Sequence, residues 1–472
     1  MLPHIITTLA VKVTRAGGTL YVVGGTARDL VQKIIPKDFD LEIFGIERAQ
    51  LEDLLQKFGA VKTVGKSFGI YKLRVGKIDL DIAMPRIEQK TGAGHRGFRV
   101  AARPLLSLKS AASRRDFTIN AIYYNPLTKK FLDPFHGRQD LSKKILRVVS
   151  ADTFGEDPLR ALRALQFIAR FGLTVEPKSK RVIAHMAPQL SELHRERLWH
   201  EWQKLLLAPD PSRGLAAGMT LGLYGPLHPE LVALKSTPQP KKWHPEGSVW
   251  NHSLLAVTRA TGIAEREKLG DDARILLLLA ALCHDFGKPL VTTRHHGEIH
   301  AYGHAVAGIA PTKQFLAAIG TPQKFIAPIL HLVQYHMEPR FLYRKRDTLT
   351  KSAIPSFARR ITPATIRQMC ALCEADLFGR GKFPNNKVPY AAAPDWLYQQ
   401  GGANKVLDML PKPVIAGKDL VALGFRPSPL FAKIITAATT AKETHQYTRA
   451  KILAIIKSCR TLEAALQKLQ QR

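Results

Sequence analysis

Tyr21-Val22-Val23-Gly24-Gly25-Thr26-Ala27-Arg28-Asp29, followed by Lys37-Asp38-Phe39-Asp40-Leu41-Glu42, is the stretch whose reading decides the fold. Tyr21 to Val23 predicts a strand, the glycine pair a tight turn, and Thr26 to Ile34 a helix whose first N–H groups are free to receive a phosphate. Side chains alternate along a strand, so Asp38 and Asp40 project to one side and can share divalent cations. Two magnesium ions held there would activate an attacking hydroxyl and stabilise a departing pyrophosphate. A glycine turn or two nearby acids alone is a common polar loop. The reading therefore rests on both together and on the order of the later motifs in the chain.

A further acid comes from Ile78-Asp79-Leu80-Asp81-Ile82-Ala83, which alternates as a half-buried strand should, with both aspartates on its polar face. Ser113-Arg114-Arg115-Asp116-Phe117-Thr118-Ile119-Asn120-Ala121 follows. Next, Glu156-Asp157-Pro158-Leu159-Arg160 opens a helix, with Asp157 suited to the N-cap and Pro158 to the first turn. Period-3.6 segments run through Leu159 to Phe171, Lys178 to Met186, Ser191 to Leu207 and Pro211 to Leu221, and Arg160 and Arg163 share a face of the first. A carboxylate beside a guanidinium offers an acceptor next to donors. Cytosine and adenine present an amine beside an unprotonated ring nitrogen, whereas guanine and uracil present the reverse. Asp157 and Arg160 would accept CTP and ATP and leave groups unsatisfied with GTP or UTP.

These motifs in this order resemble those of the class II tRNA nucleotidyltransferases and bacterial poly(A) polymerases, within the DNA polymerase β superfamily. The resemblance implies an α+β chain: a polymerase β-like head with a mixed sheet, then an all-α neck and body. It implies that Asp38, Asp40 and a third acid are catalytic, with Asp38 and Asp40 holding Mg2+. The family pattern favours Asp81 as the third acid and leaves Asp79 open. Gly24, Gly25 and Arg28 would position the triphosphate, Arg115 would lie near the nucleotide, and Asp116 would contact the sugar 2′-hydroxyl. Asp157 and Arg160 would select the base, with Arg163 beside them.

The second half carries different chemistry. Trp243-His244-Pro245-Glu246-Gly247 leads to Asn251-His252, a helical run ends in Cys283-His284-Asp285-Phe286-Gly287-Lys288, and Glu374-Ala375-Asp376 comes later. A lone histidine, a His-Asp doublet and a later aspartate resemble the HD-type metal phosphohydrolases. The resemblance makes His252, His284, Asp285 and Asp376 ligands of a divalent metal (Mg2+, Ni2+ or Mn2+) that activates water for phosphoester hydrolysis. His304 and His336 fall between these ligands. Poly(A) polymerases typically lack such a domain, so the whole arrangement resembles multifunctional bacterial CCA-adding enzymes. That implies addition and repair of the 3′ CCA of tRNA, with 2′,3′-cyclic phosphodiesterase, 2′-nucleotidase and phosphatase activities. The alternatives are a poly(A) polymerase, or an HD phosphohydrolase whose degenerate head only binds RNA.

Composition fits an RNA partner. The formal charge is +32, spread along 472 residues, as expected of a folded electropositive surface. Four cysteines are too few for a disulfide framework and fit a reducing cytoplasm. Cys370 and Cys373 form a lone pair that reads as helix core, and Ile5 to Val13 reads as a packing helix. No apolar run is long enough to cross a bilayer. The expected domains are a head over 1–145, a neck and body over 146–235, an all-α HD domain over 243–390 and a helical tail over 391–472, with a linker at 234–242. The expected assembly is a monomer or weak homo-oligomer. The departures from the family pattern are that no glycine follows Asp29, that Thr26-Ala27 replaces a more usual hydrophobic pair, that Ser110-Ala111-Ala112-Ser113 holds no acid, and that Arg294-His295-His296-Gly297-Glu298 reads as an insertion.

Overall fold

The structure, a computed structural model, describes residues 2–36, 38–63, 70–90, 98–381, 388–409 and 413–470. It forms two compact units, residues 1–229 and 230–472.

The first unit is built on a seven-stranded sheet: β1 (Thr19–Val22), β2 (Phe39–Phe44), β3 (Ala60–Thr63), β4 (Ile70–Val75), β5 (Ile78–Ala83), β6 (Tyr123–Asn125) and β7 (Lys130–Leu132). Their order is β3-β4-β5-β2-β1-β6-β7. Only β2 and β5 run parallel, so the sheet is mixed as expected. Strand alternation separates apolar from acidic side chains. Leu41, Ile43, Leu80 and Ile82 pack in one core with Ile6, Leu9 and Val13 of the helix His4–Arg15 and with Leu51 and Leu55 of the helix Arg48–Gln56. Each such side chain contributes about 2 kcal/mol on burial. Asp40 and Asp81 take the alternate positions.

The helix read as Thr26 to Ile34 spans Gly24–Val31. Gly24 has φ +60°, so the chain turns off β1 at the first helical residue, and the expected turn is part of the helix itself. At the other end Lys33 takes φ +59°, and the Ile34 N–H closes on the Asp29 carbonyl, which stops the helix early.

After the sheet the chain is helical apart from one two-residue parallel pair, Ile145–Leu146 with Thr174–Val175, which the all-α reading of the neck does not include. The helix Leu159–Phe171 has the predicted bounds and ends on Gly172 in the left-handed region. Pro177–His185, Arg195–Leu206 and Pro211–Thr220 follow the other periodic segments. The expected start at Ser191 is displaced to Arg195, because Ala187–Glu192 forms a tighter turn opened by Pro188. The helix Pro229–Ser236 runs into the stretch read as linker.

In the second unit, the helix Asp271–Cys283 is buried along its whole length from Ile275 and forms the core against Val249–Arg266, Gln323–Tyr335 and Ile366–Phe378. One element departs from the all-helical reading. Thr293–His295 and Glu298–His300 pair as a hairpin, closed by His296 and Gly297, both with positive φ. The last helices, Gly417–Ala422, Leu430–His445, Arg449–Lys457 and Leu462–Gln470, share a hydrophobic cluster of their own. All four cysteines are free and buried. Among the described residues, no helix is long and apolar enough to cross a membrane.

Candidate functional site

Parallel pairing of β2 with β5 sets Asp40 beside Asp81 in register. Burial raises the Asp40 carboxyl above its ordinary pKa; Arg115 opposes this, while Asp81 and Asp38 add to it. Negative charge thus accumulates around Asp40, which suits a cation, but the three carboxylates are not gathered within ion-sharing distance of one another; among the described residues the groups that are lie in the second unit. Asp79 faces Arg74 at 3.8 Å on a largely exposed stretch of β5.

Thr26 secures the loop carrying these acids. Its hydroxyl accepts from the Asp40 N–H at 2.9 Å and donates to the Asp38 carbonyl at 3.0 Å. A Cβ at Gly24 would lie 3.3 Å from Asp40 Oδ2 and 3.4 Å from Arg115 Nη1, and the positive φ there would strain any side chain. The glycine therefore lets the helix start close against the carboxylates. Arg115 donates to Glu42 at 3.0 Å, and the Tyr123 hydroxyl donates to the same oxygen at 3.1 Å.

Arg28 is buried and already engaged. It donates to Asn120 Oδ1 at 2.7 Å and to Asp29 at 2.9 Å, and lies over the rings of Phe171 and Phe167. Burial lowers its pKa, with Asp29 opposing. Asp116 is buried too, which by itself would raise its pKa; Arg163 at 2.7 Å and Asn120 at 2.9 Å hold it below the ordinary value instead.

Asp157 and Arg160, expected as a pair, are not bonded to each other. Asp157 Oδ1 accepts from the Leu159 N–H at 3.1 Å, consistent with its capping position, and Oδ2 accepts from Arg197 at 2.8 Å. Arg160 donates to the carbonyls of Thr153 and Arg114. These groups line one cleft of about 750 Å³. Every residue expected in this site lines it except Asp81 and its alternative Asp79; Asp81 is paired with Asp40 on the adjacent strand.

The second cluster lies wholly in the second unit. His252 Nε2 is 3.1 Å from Asp376 Oδ1 and 3.8 Å from Asp285 Oδ2, and His284 Nε2 is 3.2 Å from Asp285 Oδ2. His304 Nε2 lies 3.4 Å from Asp285 Oδ1 and 3.2 Å from His336 Nε2. Asp285 is therefore common to two triads, one with His252 and His284 and one with His304 and His336. The rings are oriented from behind. The Nδ1 atoms of His252, His284, His304 and His336 meet the carbonyls of Gly379, Ala281, Ala301 and Val333 at 2.7–2.9 Å, which turns each Nε2 into the cluster. His284 Nε2 is buried without a hydrogen bond. Donors 3.1–3.8 Å apart suit a shared cation about 2.1 Å from each. The residues fit a divalent metal.

Burial, outweighed by His284 and Lys288, leaves Asp285 well below the ordinary carboxylate range; burial outweighed by Arg340 and His252 does the same for Asp376. His336 is pushed down to about 3 by burial and by His304. Gly287 permits this assembly, since a Cβ there would fall 2.0 Å from the His304 carbonyl. Close approach of the two backbones brings His304 to Asp285.

Several participants had no role in the sequence reading. Glu42 continues the alternation of Asp38 and Asp40, a signal that was available. Thr26, Asn120, Arg197, Lys288 and Arg340 are recruited by the tertiary fold. Arg340 pairs with Asp376, and Lys288 Nζ lies 2.6 Å from Asp285.

A cleft lined by acids and arginines on a mixed sheet, followed by a helical body and a His/Asp metal-type cluster, defines a nucleotidyltransferase with an HD domain. The comparisons agree. Family models match for the poly A polymerase head domain over residues 20–147, the probable RNA and SrmB- binding site of polymerase A over 172–234, and the HD domain over 249–369. The Multifunctional CCA protein of Pasteurella multocida (strain Pm70) is 32% identical over 401 residues, covering 83% of this chain and 91% of that one. Its namesake from Xylella fastidiosa (strain 9a5c) is 33% identical over 368 residues, covering 76% and 84%. Among solved structures, the Bacillus stearothermophilus CCA-adding enzyme in complex with CTP has a TM-score of 0.62 at 20% identity, covering 97% of both chains. The Thermotoga maritima enzyme complexed with tRNA gives 0.58 at 18% identity, covering 99% of this chain and 94% of that one. The chain belongs to the poly(A) polymerase/tRNA nucleotidyltransferase family, in its multifunctional bacterial type with an HD domain.

Proposed function

We propose that this protein adds and repairs the 3′-terminal CCA of tRNA from CTP and ATP without a nucleic-acid template. The observation that carries the reading is the register of Asp40 with Asp81 beside the glycine-opened helix, in a cleft that also holds Asp157 and Arg160. Asp38, Asp40 and Asp81 would hold Mg2+, which when bound favours ionisation of the attacking 3′-hydroxyl and neutralises the leaving pyrophosphate. Gly24 and Gly25 admit the triphosphate close to the helix N-terminus, and Arg28 and Arg115 give that wall positive charge. Asp116 accepts the sugar hydroxyl. Asp157, Arg160 and Arg163 face the base, and a correct base edge would take over donors and acceptors now held by Arg197 and the carbonyls of Thr153 and Arg114.

For the second unit, the function is hydrolysis of phosphates at RNA ends: 2′,3′-cyclic phosphodiesterase, 2′-nucleotidase and phosphatase. His252, His284, Asp285 and Asp376 would hold Mg2+, Ni2+ or Mn2+, which supplies an activated water when bound. Joining the activities lets damaged ends be cleared before nucleotides are added. The protein would act in the cytoplasm as a monomer or weak homo-oligomer.

The test uses tRNA lacking its last three nucleotides, Mg2+, and CTP and ATP separately and together. Growth by CCA supports the reading, long A tracts favour poly(A) addition, and no incorporation sinks both. Asp285→Ala should stop phosphate release from cyclic ends and leave CTP incorporation intact. Joint loss in a folded protein overturns the two-site model.

A further inference from the structure

Arg380 is a buried cation with no carboxylate of its own. It is 6% exposed and stands four residues beyond Asp376, past the end of the helix Ile366–Phe378. Among the described residues, its guanidinium makes one weak hydrogen bond, from Nη1 to the Trp243 carbonyl at 3.4 Å, and Nε is buried without a partner. The other arginines around this helix are paired: Arg340 with Asp376, Arg259 and Arg266 with Glu374, and Arg367 with Asp408. A buried guanidinium lacking such a partner opposes folding unless an anion completes it.

The neighbouring charges indicate which anion. Arg380 feels Asp376, Glu246 and Asp285 at longer range. Asp285 and Asp376 are the carboxylates that a divalent cation would claim. Once their charge is committed to a metal, Arg380 and Lys288 leave a positive surplus beside it. A guanidinium fork matches two phosphate oxygens, and its hydrogen bonds to an oxyanion are charge-assisted.

We propose that Arg380 is the phosphate-binding residue of the His/Asp centre, receiving non-bridging oxygens of a terminal or 2′,3′-cyclic phosphate. This rests on the reading of that centre as a phosphohydrolase. It assigns Arg380 to binding, and no bond is made or broken by the side chain.

The experiment measures binding of inorganic phosphate to the full chain by calorimetry, with and without Mn2+, for wild type, Arg380→Met and Arg380→Lys. Thermal midpoints are recorded on the same samples. Arg380→Met should weaken phosphate binding by about ten-fold or more without lowering the midpoint, since it removes an unpaired buried charge at similar volume. Arg380→Lys should fall between. Hydrolysis of 2′,3′-cyclic AMP and of an oligonucleotide ending in a cyclic phosphate should show KM raised about ten-fold, with kcat changed far less. Equal effects on both identify the phosphate as the recognised group; an effect on the oligonucleotide alone overturns recognition of the phosphate itself. Unchanged phosphate affinity in Arg380→Met, a lowered midpoint with unchanged affinity, or no phosphate binding by wild type each overturns the proposal. If Arg380→Met does not fold, the phosphate affinity of Arg380→Lys decides. Arg380-dependent phosphate binding without hydrolysis upholds the site and removes the phosphohydrolase reading.

Discussion

Arg163 Nε lies 2.7 Å from Asp116 Oδ2, tying a residue of the Ser113–Ala121 motif to one on the helix Leu159–Phe171, 47 positions later in the chain. The bond is charge-assisted, and Asp116 is almost fully buried. Asp116→Asn should therefore cost about 2 kcal/mol at neutral pH. Its pH dependence has a definite sign. The folded pKa is depressed, so the stabilisation is fully present above the ordinary carboxylate pKa of 3.8 and is lost as pH falls through the lower folded value. Denaturant midpoints of wild type and Asp116→Asn should converge at low pH. A gap that persists there would mean that shape, and not charge, carries the effect.

Asp81 and Asp79 differ in what they face, although both sit on the polar side of β5. Both face a basic residue of β4, Asp81 Lys72 at 3.3 Å and Asp79 Arg74 at 3.8 Å, but Asp81 is also in register with Asp40 on β2. Asp40→Asn and Asp81→Asn should each lower CTP incorporation by about a thousand-fold or more, as expected when a group holding catalytic metal is removed. Asp79→Asn should stay within a few-fold. Single-turnover incorporation at saturating Mg2+ separates the two, and a severe Asp79→Asn with a mild Asp81→Asn would reverse the assignment.

The local parts of this site were legible because their physics is local. Two glycines before a helix, alternating acids on a strand, and Pro158 and Gly172 at the two ends of one apolar period each act within a few residues. The helix Leu159–Phe171 was readable to its ends for that reason. Arg197 was not readable, since its bond to Asp157 spans 40 positions and leaves no local pattern. The same holds for Arg340 and for the double hydrogen bond of Thr26, a residue that looked like a mild departure from the family. The 293–300 hairpin was missed because its strands are three residues long and mostly exposed, with no apolar alternation to mark them. Only His296-Gly297 signalled a turn.

Arg197 holds one oxygen of Asp157, and both side chains are about a third exposed. Asp157→Ala should relax discrimination against GTP and UTP by about ten-fold or more, because it removes the group that a wrong base edge leaves unsatisfied. Arg197→Met should raise KM for both CTP and ATP, since Asp157 then loses its alignment, and should leave GTP still excluded. Misincorporation ratios with each nucleotide offered alone would check both. Arg197→Met admitting GTP would make the arginine itself the selecting group.

The charge of +32 bears on association with tRNA. If six or more phosphates are neutralised, affinity should fall by about a thousand-fold between about 50 and 200 mM salt. A filter-binding series would give the slope directly. A shallow slope would assign the basic surface to some other partner.

Gly287 decides whether the two histidine triads can share Asp285. A Cβ at this position would lie 2.0 Å from the His304 carbonyl and 2.5 Å from the Gly308 N–H, both backbone atoms that cannot move aside as a side-chain tip can. Gly287→Ala should therefore push the His304 segment away from Asp285, which it now approaches to 3.4 Å. His252, His284 and Asp376 belong to other helices and keep their places. The expected result is weakened divalent-metal binding at the Asp285, His304 and His336 triad and reduced cyclic-phosphate hydrolysis, with a destabilisation of about 1–3 kcal/mol from overpacking. CTP incorporation, housed in the other unit, should be unaffected. Metal titration by calorimetry alongside both assays checks this, and full metal affinity in Gly287→Ala would show that the approach of His304 to Asp285 is dispensable.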